Sequence, residues 1–181
     1  MRFPRWLLGL ALIVCVRGQT ICNCDPAKAE TMKQRQCSLC NEAEKQPAGV
    51  PFFVLKDANP AKPNRTLILP REHMPGQHPL REMPAAERAA FWAAAIDKAK
   101  QLWGDNWGIA WNSDRVRTQC HAHLHIGKLL PGVETDNFVV VSSPSEIPPP
   151  KDVNDGLWIH PVNGKLHVHS GEIITETVLL R

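Results

Sequence analysis

The chain has 181 residues, 22% of them charged, with 21 basic against 18 acidic residues and a formal charge of +3. That length suits one domain with a real core. Arg2, Arg5 and Arg17 lie in the first 18 residues, leaving 18 basic against 18 acidic. This balance excludes a general polyanion-binding surface, so nucleic acid is not an expected partner.

Residues 1–18 carry a basic start, an apolar run from Trp6 to Val16, and Val16 and Gly18 at the −3 and −1 positions. This pattern predicts a secretory signal peptide cleaved after Gly18, and hence an exported, periplasmic or extracellular protein. The run is short for a membrane span, although an uncleaved anchor stays open. Residues 19–48 form a polar, Cys-rich segment. Export makes disulfides available to Cys22, Cys24, Cys37, Cys40 and Cys120, whereas Cys37-x-x-Cys40 has the spacing of a zinc knuckle. With Cys15 removed in the leader these five remain, an odd number, so one thiol at least is free, metal-bound or paired between chains. Cys22 and Cys24 are too close in sequence to pair with each other.

A core is expected over 49–131. Phe52 to Leu55 and Thr66 to Leu69 read as strands around a turn at Asn59–Asn64. Pro84 to Trp103 reads as the principal helix, with apolar residues from Ala89 to Leu102 at helical spacing and Gly104 as its stop. Trp107 to Asn112 reads as a strand, Ser113 to Thr118 as a polar turn and Cys120 to Leu129 as a strand. A β-rich extension follows over 132–181, with a strand at Phe138–Val141 and a hairpin turning at Asn163-Gly164. The fold class expected is α+β, an antiparallel sheet with one principal helix packed on it. His160, His167 and His169 read as a solvated hairpin; His167 and His169 share a strand face and could also ligate a metal or reach a substrate.

The strand at 120–129 contains His121-x-His123-x-His125. Period-two spacing on a straight strand sends the three imidazoles to one face, and an imidazole can be nucleophile, acid, base or ligand near neutrality. The outer two start about 13 Å apart at ~3.3 Å per residue, too far to share one ion held by bonds of about 2 Å. That favours catalysis. Asn112, Arg117, Thr118 and Gln119 just before the triad offer amide, hydroxyl and guanidinium donors suited to a phosphate group.

On these residues the chain resembles the histidine-triad (HIT) superfamily. The likeness runs over roughly 37–131. It includes Phe53 to Asp57, Pro60, Pro63 and Thr66 to His73, similar to that superfamily's first hairpin, and the Cys37/Cys40 pair, similar to its zinc-containing members. Within the superfamily, Asn112-Ser113 and Arg117-Thr118-Gln119-x-His121-x-His123-x-His125 look closest to the exported CDP-diacylglycerol pyrophosphatases.

The resemblance implies a HIT-like sheet and hydrolysis of a phosphoanhydride in a nucleotide-containing small molecule or lipid nucleotide, with CDP-diacylglycerol giving CMP and phosphatidate. His123 would be the nucleophile, forming a phosphohistidine intermediate. His125 would donate to the phosphate or the departing oxygen, and His121 would brace the nucleophile or bind zinc. Asn112, Thr118 and Gln119 would hold phosphate oxygens, with Arg117 standing where many relatives carry the glutamine. Cys37, Cys40, His73 and His121 match the Cys2His2 set of zinc-containing relatives, a structural zinc being the one cofactor implied and no organic one. A membrane-surface contact and a homodimer belong to the same expectation. The alternative is a secreted zinc- or nucleotide-binding protein of the same type without turnover.

Overall fold

The computed structural model describes residues 20–72 and 79–181. Seven strands, β1 (Phe52–Lys56), β2 (Thr66–Pro70), β3 (Trp107–Trp111), β4 (Leu124–Lys128), β5 (Phe138–Val141), β6 (Gly156–Val162) and β7 (Lys165–Glu172), form one sheet. Their order is β1-β2-β4-β3-β6-β7-β5, and every neighbouring pair is antiparallel. The 132–181 extension is therefore continuous with the core: β6 pairs directly with β3. The α+β expectation of an antiparallel sheet with one main helix holds. Among the described residues, no helix is long and apolar enough to cross a membrane.

Among the described residues two short α-helices, α1 (Ala29–Met32) and α2 (Ser38–Glu44), precede the sheet, and the long helix α3 (Ala85–Trp103) follows β2. Helix α3 starts after Pro84, whose carbonyl accepts from Arg88 N, and stops at Gly104, which has φ +58°. Its stripe of Phe91, Trp92, Ala95, Ile96 and Ala99 is buried against Ile109 and Trp111 of β3, Leu124 and Ile126 of β4, and Leu157, Ile159 and Val168 further along the sheet. Burying each large apolar side chain contributes about 1.5–3 kcal/mol, so this layer is the principal source of stability.

Strand alternation sends a different set to the opposite face. Residues in register there form a row across four strands: His125 faces Ala110, Ala110 faces Trp158, and Trp158 faces His169. The C-terminal segment lies over that row, with Val178 and Leu179 packed on Ala110 and Trp158. The cross-strand pair Gly108 and Gly127 makes the seat for Leu179. A Cβ on Gly108 would stand 2.6 Å from Leu179 Cδ2, and one on Gly127 3.2 Å from its Cβ.

Strand β4 is shorter than the pattern predicts, starting at Leu124 rather than Cys120. Cys120 is bonded to Cys22 and donates its N–H to Gln36 O, while the His123 ring takes up the carbonyl of His121. Those tethers replace the sheet ladder over the first four residues. The N-terminal segment docks on β1 and β2 through Leu39 and Ala43, packed on Phe53, Leu67 and Leu69. Sequence periodicity gave no sign of α2.

Candidate active site

The three triad histidines are all buried, at 0%, 7% and 6% exposure for His121, His123 and His125. Nε2 of His121 lies 2.8 Å from Pro70 O, so that ring is braced on the end of β2. Nδ1 of His123 lies 2.9 Å from His121 O. A carbonyl only accepts, so Nδ1 carries the hydrogen and Nε2 holds the lone pair. Burial pushes the His123 imidazolium down to about 4, so at neutral pH the ring is an uncharged base with Nε2 available. The His125 ring meets it edge to face at 5.0 Å between centroids. Burial, then the neighbouring His123, drives His125 well below the usual imidazole range.

On its far side His125 Nδ1 stands 3.4 Å from Glu176 of the C-terminal turn. Burial works against ionisation of Glu176. His125, Lys62 and Arg65 outweigh it, holding the carboxyl down to about 2. Arg65, 1% exposed, donates to that carboxylate and to the carbonyls of Leu179 and Leu180. Lys62 reaches the same carboxylate at 2.7 Å. One buried arginine thus pins the C-terminal segment over the triad face.

The four expected phosphate donors separate. Asn112 Oδ1 accepts from the backbone N–H groups of Thr175 and Glu176, both at 3.0 Å, and so caps the C-terminal turn. Gln119 accepts from Ser38 Oγ at 2.9 Å and donates to Arg35 O at 3.1 Å, fastening the Cys-rich segment to the triad strand. Thr118 is exposed. Arg117 is buried, with its guanidinium 4.4 Å above the Trp111 ring and 2.9 Å from the Asp114 carboxylate. Arg81 also binds that carboxylate. The Nε and Nη1 of Arg117 nevertheless have no hydrogen-bond acceptor among the described residues, and its charge is close enough to depress His123 further. Orphan donors in a buried site cost about 1–3 kcal/mol each.

The Cys37–Cys40–His73–His121 zinc set needs correction. Cys37 is bonded to Cys24 and Cys22 to Cys120. A sulfur in a disulfide has no thiolate to offer a metal, so Cys37 is not a ligand here. Among the described residues Cys40 is the free thiol, buried against the His121 backbone and pushed up to about 12 by burial. His73 and residues 1–18, including the Gly18 cleavage position, lie outside the described residues. The two disulfides are stacked, with the sulfurs of Cys24, Cys37 and Cys120 within 4.8 Å of one another, and they suit an oxidising, exported environment.

A different set of potential metal donors stands elsewhere on the sheet: Glu134, His160, His167 and His169. Glu176 and Glu134 were both missed in the sequence. Neither sits in a periodic pattern or motif, and only the folding of distant segments brings them to histidines. No protein-family model matches the chain, and no curated protein matches it.

Proposed function

We propose that this protein is an exported hydrolase of phosphoanhydride bonds in nucleotide-containing substrates, with His123 as the nucleophile. The observation that carries the reading is the Nδ1–H to His121 carbonyl bond, which leaves Nε2 of a neutral, fixed imidazole as the attacking atom. In the first step Nε2 bonds the substrate phosphorus and the anhydride P–O bond breaks, releasing the leaving phosphate. The imidazolium so formed is stabilised by the same Nδ1–H···O=C contact. Water then attacks the phosphorus, the P–N bond breaks, and the nucleoside monophosphate leaves with His123 restored.

Arg117 supplies the orphan donors for the phosphoryl oxygens, a term worth several kcal/mol in a water-poor site. His125 stands edge-on beside His123, and Glu176, 3.4 Å from its Nδ1, fixes the orientation of that ring, so Glu176 is a positioning residue. A lipid nucleotide such as CDP-diacylglycerol is the substrate favoured, because soluble nucleotides are scarce outside the cytoplasm. The test incubates the exported chain with CDP-diacylglycerol and a panel of nucleoside diphosphate conjugates and follows nucleoside monophosphate release. Release abolished by His123→Ala supports the reading, and turnover unaffected by that change would sink it.

A second reading, nucleotide binding without turnover, draws on the C-terminal segment lying over His125. Saturable nucleotide binding with no product from any substrate would favour it.

A further inference from the structure

We infer that Glu134, His160, His167 and His169 form a binding site for one divalent transition-metal ion, zinc by its donor set. The site shares no residue with the triad and does not depend on the reading given for it.

Convergence comes from sheet pairing. His160 and His167 are direct cross-strand partners on β6 and β7, and His169 follows two residues on, on the same face. The Nε2 atoms of His160 and His169 are 3.3 Å apart, and Glu134 Oε1 is 3.6 Å from the first and 4.0 Å from the second. The fourth donor, His167 Nδ1, is in hydrogen-bond contact with the same Glu134 oxygen. All four donor atoms lie within 4.8 Å of one another. A tetrahedron with bonds of about 2.0–2.1 Å has edges of about 3.3–3.4 Å, so the nitrogen pair already stands at the spacing one zinc ion requires. Three imidazoles and one carboxylate suit zinc and neighbouring first-row ions, and do not suit calcium or magnesium.

The rings are held in place before any ion arrives. Trp158 stacks on His169 at 3.6 Å between centroids and 4° between planes, and Phe138 stacks on His167 at 4.3 Å and 12°. Thr135 Oγ1 stands 3.1 Å from His169 Nδ1. A hydrogen on that nitrogen leaves the Nε2 lone pair facing the other donors, the arrangement by which an outer partner fixes a metal-bound histidine. A solvated hairpin does not account for this, since His160 and His169 are 4% and 0% exposed. Glu134 is the exposed member, and with His160 it lines a groove of about 500 Å³ that gives an ion its way in. With four protein donors the shell is closed. The ion would staple the loop carrying Glu134 to the β6–β7 hairpin.

The test strips the full chain, disulfides intact, with chelator and titrates it with zinc by calorimetry and with cobalt by visible absorption. One ion per chain with sub-micromolar affinity and the intense bands of four-coordinate cobalt are expected. His160→Ala should weaken binding at least 100-fold, and Glu134→Gln about tenfold or more. His123→Ala should leave affinity unchanged. Glu134 and His167 are the less buried ligands, so the double variant Glu134→Gln/His167→Ala keeps the test alive if His160→Ala fails to fold. No binding at 10 µM free zinc, taken as roughly a hundredfold over the affinity expected, would overturn the assignment. So would affinity retained in the double variant, which would place the ion on other residues.

Discussion

Two groups of three histidines are carried by one sheet and the segment that leads into it, and they are arranged in opposite ways. His121, His123 and His125 succeed one another along a single chain segment, and each ring finds a different partner: Pro70 O, His121 O and Glu176. His160, His167 and His169 sit on two paired strands, and their donor atoms converge on one point with Glu134. Along an extended chain, period-two neighbours stand about 6.6 Å apart. Across paired strands, residues are about 4.5–5.5 Å apart. A line of imidazoles therefore leaves one lone pair available for attack, whereas a cross-strand cluster can enclose an ion. The row His125, Ala110, Trp158, His169 spans three strand spacings, so the two groups are roughly 14 Å apart. Leu179 packs on the middle of that row.

The difference is broken most directly at the nucleophile. His123→Ala is expected to lower nucleoside monophosphate release by at least 10³-fold while leaving zinc affinity unchanged. An effect on both would mean that the two groups work as one site. The next largest effect should come from the covalent tie at the triad end. The Cys22–Cys120 disulfide joins positions 98 residues apart, and a loop of that length corresponds to about 4–5 kcal/mol of unfolded-state entropy. Cys22→Ser/Cys120→Ser should lower the denaturation midpoint accordingly and depress turnover, because Cys120 immediately precedes His121. Zinc affinity at the other end of the sheet should change little.

How much of this contrast could be read in the sequence follows from the range of each interaction. The helix over Ala85–Trp103, the Asn163-Gly164 hairpin and the apolar runs of β1 and β2 are local, set by periodicity, by turn residues between the runs and by residues that tolerate positive φ, as Asn163 and Gly164 do at +49° and +77°. The triad's spacing was visible for the same reason. The partners were not. Cys120 reaches Cys22, Gln119 reaches Ser38, and Asn112 and His125 reach Glu176, all across 51 to 98 residues. The polar turn before the triad offered four donors to a phosphate, and the structure spends Asn112 and Gln119 on fastening the two termini. His160 joins His167 and His169 only once β6 and β7 are in register, and Glu134 enters from a loop that no pattern marks.

Acid sharpens the comparison from the triad side. The His123 imidazolium ionises near 6.5 unfolded and at about 4 folded, so below pH 6.5 the unfolded chain binds more protons. Stability should fall as pH drops from about 6.5 towards 4, by roughly 3 kcal/mol for His123 alone. His125 shifts in the same direction. Glu176, depressed to about 2, adds a further loss below about 4.5. Chemical denaturation at pH 7, 5.5 and 4 measures it, and a flat profile would mean that the triad is open to water.

The smallest effect tests the C-terminal segment between the two groups. Glu176→Gln keeps a hydrogen-bonding side chain but removes the charge that faces Lys62, Arg65 and His125. Arg65 retains its backbone acceptors Leu179 and Leu180, so the segment should stay docked at a cost of about 1–2 kcal/mol. If the carboxylate orients the His125 ring beside His123, kcat should fall about tenfold with KM little changed, and the acidic limb of the pH–rate profile should move. If Glu176 instead holds the segment against entry of substrate, removing its charge should raise turnover and lower KM. The two outcomes have opposite signs, and neither should alter zinc affinity at His160, His167 and His169. A change there would show that the segment over Ala110 and Trp158 couples the two histidine groups rather than separating them.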